Sequence, residues 1–274
     1  MGSTGERVVI IYKSPDEIAK MRRAGQITAG AIQAMLDAVM AGTTTDDLDR
    51  IAERHIRSHD AIPSFKGYGR SRGLTPFPGT ICASINEEIV HGIPSPKRVL
   101  KAGDVLSLDC GAIWEGFQGD SAVTVIVGGD PPSPEAEKLL RVTEDSLDAA
   151  IAVIRPGGRL SDIGAAIQQV AEGAGFTLVR EYGGHGIGRA MHEDPFIQNF
   201  GSPGRGPELK PGLVIAVEPM VMLGSHETRV LADEWTVVTE DGSLAAHFEH
   251  TIAVTDSGHE VLTARAPIAR GRTD

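Results

Sequence analysis

Ser14-Pro15-Asp16-Glu17 is a helix start spelled in four residues. A serine before proline at the first helical position, with glutamate three residues on, satisfies the open N–H groups of a first turn. Apolar Ile18, Met21, Ile27, Ile32, Met35 and Leu36 follow at helical spacing. Gly42 stops that helix, and Thr43–Thr45 open a second that carries Leu48, Ile51, Ala52 and Ile56. The same order returns at Ser133-Pro134-Glu135. Its helix carries Leu139, Leu140, Val142, Leu147, Ile151 and Ile154 and ends at Pro156-Gly157-Gly158. Ser161-Asp162 then reads as the cap of a helix with Ile163, Ile167 and Val170. A repeat of roughly 120 residues is too long for a solenoid unit. Two related halves sharing one core is the expected meaning, although two unrelated, well-capped helix pairs would read the same way.

Strand-like runs lie between and after these helices: Thr80–Ile85, Val105–Cys110, Ala122–Val127, Leu213–Val217, Trp235–Thr239 and Phe248–Thr255. Helices cluster and strands cluster within each half, which favours α+β over a doubly wound α/β sheet. The expected organisation is an N-terminal extension over 1–13, one domain over 14–263 with halves at about 14–130 and 131–263, and a tail over 264–274.

The chain has 274 residues, with 26 Lys+Arg against 37 Asp+Glu and a formal charge of −11. That acid excess removes the basic face a phosphate-backbone binder needs, and 4% aromatics leave few rings for base stacking. Nucleic acid is therefore not an expected partner. No apolar run approaches the ~18 residues of a membrane span, and no signal-peptide core follows Met1. Cys82 and Cys110 make neither CxxC nor a disulfide framework. A soluble, cytoplasmic protein without a membrane partner is expected, with monomer as the default state.

Several common sites are absent. His192-Glu193, His226-Glu227 and His259-Glu260 do not continue to H-E-x-x-H. Gly119–Val123 lacks the last glycine of a nucleophile elbow, and Arg189 stands where a dinucleotide fingerprint needs glycine after Gly188. His55 and His59 stand one helical turn apart but have no third ligand nearby, and they read as surface.

What stands out is acid inside apolar strands. Asp109 ends Val105–Leu108, Glu218 ends Leu213–Val217, and Glu249 lies between Phe248 and Thr251–Val254. A buried carboxylate is costly unless paired, protonated or bound to metal. Asp120 is a fourth. With Trp114-Glu115-Gly116 midway as a hairpin turn, Asp109 and Asp120 are expected nearly opposite on adjacent strands. Two such acids either share a proton or grip a cation, and the other potential ligands favour metal. His185, bracketed by Gly183, Gly184, Gly186 and Gly188, adds a nitrogen. Four carboxylates and a neutral imidazole balance two divalent cations, and this donor set suits manganese, iron, cobalt or zinc. Paired divalent ions typically activate water and polarise a carbonyl, the chemistry of amide or ester hydrolysis.

Cys82–Pro94, Leu108–Gly111, Gly119-Asp120, Tyr182–Gly188, Val217–Met220 and Phe248–Thr251 together closely resemble the type I methionine aminopeptidases, and the likeness runs from about Ser14 to Thr263. The resemblance implies the pita-bread fold, two pseudo-symmetric α+β halves around an antiparallel sheet. It implies metal ligands at Asp109, Asp120, His185, Glu218 and Glu249, with Asp120 and Glu249 touching both ions and Glu218 also shuttling a proton. His192 then contacts the substrate and polarises its scissile carbonyl, and His91 lies near the amine end. Phe65, Tyr68, Phe77, Cys82 and Trp235 fall at or near the positions that line the methionine pocket. The implied activity is removal of initiator methionine from nascent polypeptide N-termini, before a small second residue, with the ribosome as a potential partner. An X-Pro aminopeptidase or a catalytically silent peptide-binding module on the same fold are the rival readings. One departure from the family is Gly69–Pro76, longer than the usual link before Phe77 and read as a mobile loop. His247, two residues before Glu249, is either a neighbour of the metals or a plain strand residue; period-two alternation puts it on the face of Glu249.

Overall fold

The computed structural model describes residues 9–70, 73 and 75–266. Ser71, Arg72 and Leu74 of the long link, and the outer parts of the N-terminal extension and C-terminal tail, lie outside the described residues. The first half contains α1 (Pro15–Leu36), α2 (Thr45–Ser58), β1 (Ile62–Pro63), β2 (Ile81–Ile85), β3 (Glu88–Val90), β4 (Val105–Trp114) and β5 (Phe117–Ile126). The second contains α3 (Pro134–Val153), α4 (Leu160–Gly173), β6 (Thr177–Leu178), β7 (Gly184–Gly186), β8 (Glu193–Ile197), β9 (Val214–Val217), β10 (Met220–Met222), β11 (Thr228–Val230), β12 (Val237–Thr239), β13 (Ala245–His247), β14 (His250–Thr255) and β15 (Gly258–Val261). The expected repeat of a helix pair followed by strands is present.

The caps explain where the helices begin. Ser14 accepts the Glu17 N–H while the Glu17 carboxylate accepts the Ser14 N–H at 3.0 Å. Thr44 and Asp47 form the same reciprocal box, and the Ser133 hydroxyl accepts the Ala136 N–H. The fourth helix departs from expectation. It starts at Leu160, so Ser161 is already inside the first turn and its hydroxyl instead accepts the Arg205 N–H at 2.8 Å. Asp162, at the third helical position, closes the turn by accepting the Arg159 N–H at 2.8 Å.

Each helix pair lays its apolar face on strands: α1 on β4 and β5, and α3 on β9, β10 and β13. One sheet has the order β1-β4-β2 with β5 on the other side of β4; another has the order β15-β14-β9-β7-β8, and all pairings are antiparallel. The three-stranded sheets β13-β10-β6 and β11-β12-β3 complete the layer. The two large sheets meet along β5. Glu249 N–H donates to the Ala122 carbonyl at 3.0 Å, the Ser121 hydroxyl donates to the Glu249 carbonyl at 2.6 Å, and the Thr251 hydroxyl donates to the Asp120 carbonyl at 2.8 Å. These bonds set Asp120 of one half beside Glu249 of the other.

The β4–β5 hairpin differs from expectation by one residue. Its turn is Glu115-Gly116, with φ of 47° and 78°, the two-residue type whose twist suits antiparallel strands. Trp114 therefore pairs with Phe117, Asp109 faces Ala122 and Asp120 faces Gly111. The two aspartates are diagonal neighbours on one face instead of a directly opposed pair.

Candidate metal centre

Asp109 and Asp120 project from mid-strand on the inner face of the β4–β5 hairpin. His185 is the centre of β7, a strand wedged between β8 and β9. A Cβ on Gly186 would overlap the Asp194 carbonyl oxygen, which is why glycine follows the histidine here. Glu218 follows the last residue of β9 and precedes Pro219, and its backbone carbonyl accepts from the Asn199 amide at 3.0 Å. Glu249 lies between β13 and β14, stitched to β5 by the bonds above.

These five side chains converge. Asp120, His185 and Glu249 each bring a ligand atom within 4.8 Å of the other two. Glu218 Oε1 lies 3.5 Å from His185 Nε2. The charge of Asp120, and that of Glu218, act on Asp109 strongly enough to raise its pKa, on top of the larger effect of burial. The His185 ring donates from Nδ1 to the Gly186 carbonyl at 2.9 Å, so its Nε2 lone pair faces the carboxylates. Burial lowers the His185 pKa to about 4, which keeps the ring neutral at physiological pH.

Electrostatically, the cluster calls for cations. Burial first, then mutual repulsion, pushes Asp109, Glu218 and Glu249 up, and burial raises Asp120. One oxygen each of Asp109, Asp120 and Glu249 is buried with no hydrogen-bond donor. Orphaned acceptors on three converging acids fit divalent metal as the missing partner. The donor set of carboxylate oxygens with one imidazole suits manganese, iron, cobalt or zinc.

His192 and His91 flank this cluster. His192 lies on the rim, its ring 4.2 Å from that of His185 at an interplanar angle of 40°. Its Nδ1 is 2.7 Å from the Tyr68 hydroxyl. His91 sits at φ 62° just after β3, and burial lowers its pKa to about 4. Trp235 meets the rings of both His91, at 6.1 Å, and Phe77, at 5.3 Å. Cys82 pairs with Asp109 across β2 and β4, and burial together with the nearby aspartates raises its thiol pKa. Phe65 and Tyr68 instead pack on the cluster of Met21, Phe117, Ile187 and Met191. Of the residues expected to line a methionine pocket, Trp235 stands against Phe77 and His91, Cys82 lies across from Asp109, and Tyr68 meets His192.

Residues 19–256 match the sequence profile of metallopeptidase family M24. The chain belongs to that family. A Clostridium acetobutylicum methionine aminopeptidase is 50% identical over 255 residues, covering 93% of this chain and 99% of that protein. The crystal structure of methionine aminopeptidase from Thermotoga maritima superposes with a TM-score of 0.89 at 43% identity, covering 94% of this chain and 100% of that one. A prolidase from Pyrococcus furiosus shares the fold, with a TM-score of 0.75 at 20% identity, but this chain spans only 66% of its length. Membership in M24 accounts for the pita-bread architecture, the two-half element order and the divalent-metal centre. Among the described residues, no helix of this M24 chain is long and apolar enough to cross a membrane.

Some neighbours of the centre were not singled out from sequence. Arg265, in the stretch read as a tail, donates to the Ser121 hydroxyl and the Ala122 carbonyl, and its charge reaches Glu249. Lys13, in the stretch read as an extension, forms a 2.7 Å ion pair with Glu193, and both side chains are almost fully buried. The sequence signal for each was a charged residue next to an apolar run, which is too common to select. His247 lies beside Glu218, its Nε2 3.6 Å from Glu218 Oε2.

Proposed function

We propose that the chain removes the N-terminal methionine of nascent polypeptides that carry a small second residue, with 14–263 acting as one catalytic unit. The observation that carries this reading is the convergence of four carboxylates and a neutral imidazole, three of the acids with an orphaned buried oxygen. Asp109, Asp120, His185, Glu218 and Glu249 would hold two divalent ions. Bound divalent ions supply a water acidic enough to attack near neutral pH and polarise the scissile carbonyl.

The chain's own groups do the rest. Glu218 takes the proton of the attacking water and passes it to the departing amine, a role suited to a carboxylate whose proton affinity burial has raised. His192, on the rim over His185, donates to the carbonyl oxygen as charge builds there. His91, held neutral by burial, contacts the amine end of the substrate without adding a repelling charge. Phe77, Trp235 and Cys82 receive the methionine side chain on the His91 side. The substrate enters as a free polypeptide end, from the ribosome or after release. A cytoplasmic, monomeric enzyme meets that need.

One assay tests this. Metal-free protein is refilled with Mn, Fe, Co or Zn and offered Met-Ala-Ser, Met-Lys-Ser and Ala-Pro-Ser. Cleavage of Met-Ala-Ser alone is expected. Cleavage of Ala-Pro-Ser alone moves the chain to the X-Pro class, and silence with every metal favours a binding module.

A further inference from the structure

The link that departs from the family pattern is fixed at its base. Gly67 N–H donates to the Phe77 carbonyl at 2.8 Å, and Phe77 N–H donates to the Tyr68 carbonyl at 2.9 Å. The excursion between them is therefore closed by a short two-bond ladder. Its return arm is tied to one rim of the site, where the Trp235 indole N–H donates to the Thr75 carbonyl at 3.0 Å. Its outgoing arm is tied to His192, whose Nδ1 lies 2.7 Å from the Tyr68 hydroxyl. Tyr68 is half-buried and packs on the hydrophobic cluster that includes Met21, Phe117, Ile187 and Met191.

A neutral imidazole carries one N–H, and the partner of one ring nitrogen decides where that proton sits. A phenol has a proton to give and an oxygen that accepts weakly, whereas an unprotonated ring nitrogen accepts well. With the O–H donating to Nδ1, the ring proton resides on Nε2. The His192 ring lies against that of His185, with centroids 4.2 Å apart, which sets it beside the candidate metal centre. We propose that Tyr68 is a positioning residue for His192: its hydroxyl holds the ring in the Nε2–H form that donates to the scissile carbonyl.

This rests on the role given to His192 above, and it differs from a place in the methionine pocket. A pocket wall acts through the ring face, which Tyr68→Phe keeps. A positioning hydroxyl acts in the transition state, so its loss lowers kcat and kcat/KM together and leaves KM in place.

The test combines Tyr68→Phe, His192→Ala and the double variant, assayed on Met-Ala-Ser with metal loaded. Nitrogen-15 NMR of the His192 ring in the metal-free wild type and Tyr68→Phe proteins reads the tautomer without catalysis. The loss of one hydrogen bond predicts a fall in kcat of about tenfold for Tyr68→Phe at unchanged KM. In the His192→Ala background the same change should have no further effect. The NMR should show Nδ1 unprotonated in the wild type and a mixed tautomer in the variant. A raised KM at normal kcat, a full Tyr68→Phe effect without His192, or an unchanged tautomer overturns the proposal. Normal kcat in His192→Ala refutes the role of His192 itself; a fall there with normal kcat in Tyr68→Phe refutes the Tyr68 assignment alone.

Discussion

The two halves follow the same element order yet supply the centre differently. The first half delivers Asp109 and Asp120 from one hairpin, joined by a two-residue turn. The second delivers His185, Glu218 and Glu249 from three segments that meet only when β7, β9 and β14 pair. A hairpin pair needs only local contacts, while the second set requires long loops to close first. Much of the geometry in the first half follows from one turn, whereas that of the second follows from the closed fold.

The largest expected effects come from the ligands themselves. Glu218→Gln keeps shape but removes the proton acceptor, so kcat should fall by about 10²–10⁴-fold with the fold intact. Wild-type turnover in that variant would remove Glu218 from the mechanism. Asp120→Asn, from the hairpin, should weaken metal binding by at least about 100-fold, measured by calorimetry on metal-free protein. Equal metal affinity in that variant and wild type would break the picture of a centre shared by both halves.

A pH effect of middle size separates acids from histidines. In metal-free protein the four carboxylates have pKa values raised above those of the unfolded chain. A raised acid contributes stability that is complete below its unfolded pKa, about 4, and lost as pH rises through the folded value. His91 and His185, lowered to about 4, act in the opposite direction, but only below their ordinary pKa of about 6.5. Above about pH 6.5 the histidines are silent while Asp120, raised to about 7, still titrates, so Tm of the metal-free protein should fall between about pH 6.5 and 8. The metal-loaded protein should show a flat Tm over the same range. A metal-free Tm that climbs across this window contradicts the assigned cluster.

Smaller effects probe the turn and the caps. Gly116→Ala at φ 78° should destabilise by about 1–2 kcal/mol in denaturant melts, because an L side chain strains that conformation. Ser14→Ala should cost about 1 kcal/mol through the lost capping box of α1. Ser161→Ala, inside the first turn of α4, should cost less, since Asp162 closes that turn. Equal losses at Ser14 and Ser161 would mean that the two helix pairs are capped alike after all.

Legibility varied for physical reasons. Asp109, Glu218 and Glu249 were visible as acids in apolar strands, because such placement is too costly to be incidental. His185 was visible through its glycines. The hairpin was off by one residue because Trp114, Glu115 and Gly116 all read as turn material, and only backbone twist selects Glu115-Gly116. Ser161 misled because a capping residue type says nothing about whether its own backbone is extended. Lys13 and Arg265 were assigned to the ends of the chain, yet both are drawn in by partners far away in sequence, Glu193 and Ser121.

The helix starts at Ser14 and Ser133, the α+β class, the two-half order and the choice of acids all follow from the residues alone. Those are set by local capping chemistry, by hydrophobic period and by the cost of burying charge. The diagonal aspartates, the place of Glu218 between His185 and His247, and the Tyr68–His192 bond arise from long-range packing. Such pairings depend on strand register and on chain ends folding back, and local sequence carries no record of either.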